Sequence, residues 1–177
     1  MRAVRQRSFS HIDDIAASWK REVPDRDLTG FLLAVYIMRM GRMVDDTFDR
    51  MCRQTFAISG ADMRVLFALR RAGRPYERRS TDLYRALLVT SGAISKQVDR
   101  LSDCGLVERT IGADDSGAVV RLTAKGLKNV KIAFELLMGD SIIATTISGL
   151  SPAQKKSAYA LCEHILRNLQ TNGESAS

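Results

Sequence analysis

Between Ser80 and Thr123 the apolar residues change period, and this restricts the fold more than any other feature of the chain. The stretch reads "STDLYRALLVTSGAISKQVDRLSDCGLVERTIGADDSGAVVRLT". Leu83 and Leu87 lie four residues apart, and Ile94, Val98 and Leu101 then recur at helical spacing, so two short helices follow one another. "LLVT" leaves room for only a tight turn between them, with Ser80 expected to cap the first helix and Thr90 the second. After Gly105 the pattern alternates instead. "LVERTI" and "AVVRLT" read as two strands joined by the turn-rich "GADDSG". Two helices across a short turn form a helix-turn-helix, and a hairpin directly behind it forms a wing.

The remainder reads as helix. Ser10 is expected to cap a short helix to about Arg21, with Ile12, Ile15 and Trp19 on one side and Pro24 beyond its end. From Leu28 to about Phe56 runs an amphipathic helix longer than a small core requires, which points to a second copy of the chain as its cover. Ser59 caps a helix ending at Gly73, with Met63, Leu66 and Leu69 inward. Thr123 caps another long helix to about Ile147, and Ser151 with Pro152 opens the last one. The expected fold is therefore mainly α with a small β-hairpin wing. Its parts are an N-terminal extension with a short helix (1–27), a helical dimerisation region (28–56 and 124–170), a winged helix-turn-helix (57–123) and a disordered tail (171–177).

Composition narrows the function. With 177 residues, 45% of them hydrophobic, the chain can build a core without disulfides or metals. Its three cysteines are odd in number and irregularly spaced, which fits reduced thiols and a cytoplasmic setting. No apolar region follows the basic N-terminus, and no apolar run approaches the ~20 residues that span a bilayer. His11 and His164 have no partner motif, and no phosphate loop, GxSxG or metal-ligand spacing occurs, so neither catalytic residues, nor a metal site, nor a cofactor is expected. The formal charge of +7 and pI ≈ 9.7 favour a polyanionic partner such as nucleic acid.

The order of long helix, helix-turn-helix, wing and two final helices, together with "VDRLSDCGLVERT…VVRLTAKG", resembles the MarR (multiple antibiotic resistance regulator) family of winged-helix transcription factors. Asp99, Arg100, Leu101, Gly105, Leu106, Val107, Glu108, Arg109, Leu122, Thr123 and Gly126 fit the family pattern. The resemblance implies a homodimeric regulator, read here as a repressor, that binds an inverted repeat in double-stranded DNA. It places the helix capped by Thr90 in the major groove, with Ser91, Gly92, Ser95 and Lys96 as its reading residues. Arg100 has two readings: a contact to DNA, or a local pair with Glu108 or Asp103. The family carries an Asp-Arg-Arg run at the wing tip. Here the tip is "ADDSGA", which leaves Arg121 on the strand, or Arg78 and Arg79 ahead of the helix-turn-helix, to hold phosphates.

"SWKREVPDRD" is similar to the extra N-terminal helix of the family's urate-responsive branch. That resemblance implies an anion pocket with Trp19, Arg64, Gln97 and Arg109 at its positions. Arg64 stands where the branch has Asp and Gln97 where it has Arg, so a small carboxylate or phenolic effector suits the set better than urate. Core packing is the other reading of Trp19. Two further alternatives stay open: oxidation sensing through Cys52 or Cys104, against which stands the ordinary role of a buried free cysteine, and a winged helix that binds protein without reading DNA.

Overall fold

The computed structural model describes residues 2–111, 118–139 and 141–174. Helix α1 spans Arg2–Glu22, α2 Thr29–Phe56 and α3 Gly60–Arg71. Strand β1 (Glu77–Arg78) precedes α4 (Ser80–Leu87) and α5 (Ser91–Asp103). Strands β2 (Val107–Ile111) and β3 (Ala118–Leu122) follow, then α6 (Ala124–Met138), α7 (Ile142–Ser148) and α8 (Pro152–Glu174). The chain falls into two compact units, Met1–Arg50 and Met51–Ser177.

In the first unit α1 starts well before Ser10, which lies inside the helix rather than at its cap. Residues 2–9 contain no Gly or Pro to stop the helix, so it extends backward. The Asp27 carboxylate accepts the Thr29 backbone N–H at 2.9 Å and the Thr29 hydroxyl at 2.7 Å, fixing the start of α2. Those two bonds, the hydroxyl first, hold the Asp27 carboxyl below its ordinary value. Trp19 meets Phe31 edge to face, with ring centroids 5.6 Å apart.

The second unit is built on an apolar core. Met63, Leu66 and Leu69 from α3, Leu83 from α4, Ile94, Val98 and Leu101 from α5, and Leu106 ahead of β2 are all buried. Gly105 turns the chain out of α5 at φ 66, a conformation that a side chain would strain. Where α6 crosses the start of β2, a Cβ at Gly126 would stand 2.1 Å from the Leu106 carbonyl oxygen, so only glycine fits.

Several boundaries differ from the sequence expectation. The wing is a three-stranded antiparallel sheet in the order β1-β3-β2, because Glu77 pairs with Arg121 and Arg78 with Val120. In the hairpin itself Val107 pairs with Leu122 and Ile111 with Ala118. Ser80 is the first residue of α4, not its cap; that position belongs to Arg79, which makes no side-chain capping bond. The single helix expected from Thr123 to Ile147 is two. Gly139 closes α6, and Ser141 caps α7 by accepting the Ala144 N–H at 3.0 Å. Glycine is a poor helix former and serine a good cap, so the break has a local cause. Finally, α8 continues to Glu174, so residues 171–174 of the expected disordered tail are helical, while 175–177 lie outside the described residues.

Candidate nucleic-acid interface

Helix α5 divides cleanly. Ile94, Gln97, Val98 and Leu101 are buried on one arc, and Ser91, Gly92, Ser95, Lys96, Asp99 and Arg100 are exposed on the opposite one. Thr90 caps the helix by accepting the Ala93 N–H at 3.2 Å. The exposed arc thus contains every α5 residue that the sequence marked for reading. Gly92 is informative because nothing lies within 4 Å of a Cβ placed there. A helical glycine costs about 1 kcal/mol relative to alanine, and no contact among the described residues requires it.

Two ion pairs flank this arc, and neither follows the sequence expectation. Arg100 pairs with neither Glu108 nor Asp103; its Nη2 donates to Asp62 Oδ1 at 2.7 Å. Asp62 is buried and also completes the α3 capping box: its Oδ2 accepts the Ser59 hydroxyl at 2.6 Å and the Ser59 backbone N–H at 3.3 Å, while the Asp62 N–H donates to Ser59 Oγ at 3.1 Å. The Ser-x-x-Asp spacing signals the capping box, but no local signal connects it to an arginine 38 residues later. On the other flank, Arg109 of β2 donates to Asp99 Oδ1 at 2.6 Å, with both side chains about half exposed.

A third pair occupies Arg121, whose Nε and Nη2 both reach Glu77 Oε2, at 2.7 and 2.5 Å. Its charge is matched within the sheet. Arg78, Arg79 and Lys96 are exposed and make no ion pair among the described residues. Residues 112–117, the wing tip, lie outside the described residues.

The residues marked for an anion pocket fall in both units, Trp19 in Met1–Arg50 and Arg64, Gln97 and Arg109 in Met51–Ser177. Trp19 contacts Phe31 and keeps 46% of its surface exposed. Gln97 is buried, and its Oε1 lacks a hydrogen-bond partner among the described residues. Arg109 holds Asp99. Arg64 lines a groove between α3 and α6 that neither Gln97 nor Arg109 lines. Of the cysteines, Cys52 is buried, whereas Cys104 and Cys162 are exposed. A buried structural role therefore suits Cys52 and does not apply to Cys104, which is the C-cap of α5. Among the described residues no cluster of His, Cys, Asp or Glu has the make-up of a metal site, and no helix is long and apolar enough to cross a membrane.

An exposed polar helix face behind a tight turn, backed by a three-stranded wing, defines a winged helix-turn-helix protein. The sequence profile of the MarR family matches residues 58–117 of the chain. It is similar to the HTH-type transcriptional regulator PecS of Dickeya dadantii (strain 3937), with 24% identity over 166 residues, 93% of this chain and 98% of PecS. A MarR family transcriptional regulator from Streptomyces coelicolor, solved in complex with DNA, shares the fold at a TM-score of 0.67 and 23% identity. The match covers 82% of this chain and 91% of that one. The S. aureus MepR–DNA complex matches at a TM-score of 0.64 and 24% identity, over 76% of this chain and 95% of its own.

Proposed function

We propose that a homodimer of this chain binds an inverted repeat in double-stranded DNA and represses transcription there. The observation that carries the reading is the exposed arc of α5, where Lys96, which makes no ion pair among the described residues, lies beside Ser91, Ser95 and a Gly92 that no contact among those residues requires. Lys96 can reach guanine acceptors, the serines can donate or accept, and Gly92 admits close approach of a base edge. Arg78, Arg79 and the remaining N–H donors of Arg100 supply backbone contacts. Two proteins of the same fold solved with DNA, a MarR family regulator from S. coelicolor and MepR from S. aureus, support it.

The dimer is supported by apolar surface left open on the terminal helices. Met38, Met40 and Met43 of α2, Ile142 of α7, and Tyr159 and Leu169 of α8 are each more than half exposed. Surface of this kind is covered by another copy in a stable assembly. Light scattering at micromolar concentration should give the mass of two chains.

The decisive experiment is titration of a labelled duplex whose half-sites lie ~10 base pairs apart, centre to centre. Lys96→Ala should weaken binding by about 1–3 kcal/mol and relax sequence preference. Arg78→Ala should weaken binding to all sequences alike and lower the salt slope by about 1. If Lys96→Ala changed neither affinity nor preference, α5 would not be the reading helix.

A second element of the proposal is release by a small carboxylate or phenol. It rests on Arg109, because a carboxylate that takes Arg109 from Asp99 removes a contact of the reading helix itself. The unpartnered Gln97 Oε1 offers an acceptor for a phenolic hydroxyl. Such a ligand should weaken DNA binding, and DNA should weaken ligand binding by the same factor. Arg109→Gln should abolish that response.

A further inference from the structure

Leu88, in the turn between α4 and α5, departs from what its position favours. The Leu88 N–H donates to the Arg85 carbonyl at 3.4 Å and the Val89 N–H to the Tyr84 carbonyl at 3.2 Å. These two bonds end α4 in a Schellman motif, which sets Leu88 in the left-handed region at φ 55, ψ 44. Glycine takes that conformation without steric cost, whereas leucine brings its Cβ against the carbonyl oxygen that follows. Two other described non-glycine residues have positive φ. Ala57 has only a Cβ to place, and the Tyr76 ring lies under the Arg70 guanidinium at 4.6 Å. Leu88 gains nothing comparable: 81% of its surface is open, more than for any other large apolar residue described.

A single exposed leucine is ordinary on a protein surface. This one is set apart by its strain and by its place. Two residues on, the Thr90 side chain caps α5, and Ser91 and Gly92 begin the exposed arc. The N-terminal end of a reading helix is the part that approaches base edges. Three residues of chain span at most ~11 Å, so Leu88 and Ser91 reach bases separated by roughly three base-pair steps or fewer. From Leu83 to Val98 the only charged residues are Arg85 and Lys96, both cations. A surface with cations and no acid fits a polyanion. On the base edges of the major groove, the apolar group is the thymine C5-methyl.

We propose that Leu88 is a specificity-determining residue, which packs its isobutyl group against a thymine C5-methyl at the edge of each half-site. The inference rests on the DNA reading of α5 given above, and adds to it a base that no polar side chain of α5 selects. Because the contact is apolar, it discriminates by the methyl group and adds nothing to the salt slope.

The test uses duplexes selected from a random library by the parent protein. Each thymine of the selected half-site is then replaced in turn by deoxyuridine, which lacks only the methyl group. One such replacement should weaken parent binding about fourfold, the worth of one buried methyl group. Leu88→Gly should lose that discrimination at that position alone, and Leu88→Met should keep it. Since glycine relieves the left-handed strain, Leu88→Gly should keep or raise the melting temperature, so lost binding is not lost folding. Lys96→Ala checks α5 separately. If it weakens binding while Leu88→Gly leaves every thymine response unchanged, the Leu88 contact is overturned and the reading helix stands. If neither substitution has an effect, both are overturned. An equal loss of discrimination at every position would make Leu88 structural and overturn the proposal, as would a half-site with no methyl-sensitive thymine. So would a fall in the mass of Leu88→Gly by light scattering, since that result makes the turn a contact between copies of the chain.

Discussion

Asp99 and Arg100 are neighbours in sequence, yet the ion pairs they form on the two flanks of α5 are physically unlike. Arg100 reaches Asp62, whose side chain keeps 6% of its surface, and that carboxylate is held in place by the capping box of α3. Asp99 reaches Arg109 with 59% and 50% of the two side chains exposed. The distances, 2.7 and 2.6 Å, are nearly equal, so distance does not distinguish the pairs. Burial does. Water and salt compete freely for Asp99 and Arg109, whereas Asp62 has its alternatives removed. One flank of α5 is therefore anchored to α3, and the other is an adjustable contact to the wing.

The largest effect should come from the anchored flank. Asp62→Ala removes the partner of Arg100 and half of the capping box, and should cost about 2 kcal/mol in chemical denaturation. Arg100 is itself more than half exposed and can be rehydrated, which keeps the loss below that of a fully buried pair. A cost indistinguishable from that of Asp99→Ala would erase the contrast between the flanks.

DNA binding sharpens the comparison at the next magnitude. If Asp62 acts by positioning Arg100, the binding loss caused by Asp62→Asn should vanish when Arg100 is already alanine. The coupling from this double-mutant cycle should fall within roughly 0.5–3 kcal/mol. A merely structural role for Asp62 would give additive losses. The equivalent cycle for Asp99 and Arg109 should be smaller and should fade as salt rises, because the Debye length falls from about 10 Å at 0.1 M to 3 Å at 1 M.

These contrasts also mark how far sequence reading reaches. The helix-turn-helix and hairpin were legible because Ile94, Val98 and Leu101 keep one period and Val107 to Leu122 another, and each face must be buried. The exposed arc of α5 followed from the same pattern. Strand β1 was not legible, since two residues carry no period and its pairing is made by β3. The break between α6 and α7 carried a local signal in Gly139 and Ser141, which the continuing apolar residues masked. The ion pairs lay beyond reach for a different reason. Choosing Asp62 over Asp103 for Arg100 depends on how α3 packs against α5, and local spacing contains no such information.

The smallest expected effect lies on the exposed flank and tests the comparison from its weak side. Asp99→Ala and Arg109→Ala should each change stability by about 0–1 kcal/mol, the range of solvent-exposed pairs, measured by urea denaturation. Both side chains have enough access to water for the survivor to be solvated, so neither variant leaves a buried charge. Asp99 also stands on the exposed arc of α5, where a carboxylate repels phosphate. Asp99→Ala should therefore leave DNA affinity equal or slightly higher, while Arg109→Ala, which frees the Asp99 charge, should lower it slightly. That opposite sign is the sharper measurement. A stability loss above ~2 kcal/mol from either substitution would mean that the assembled protein buries this pair, and the two flanks of α5 would then be alike.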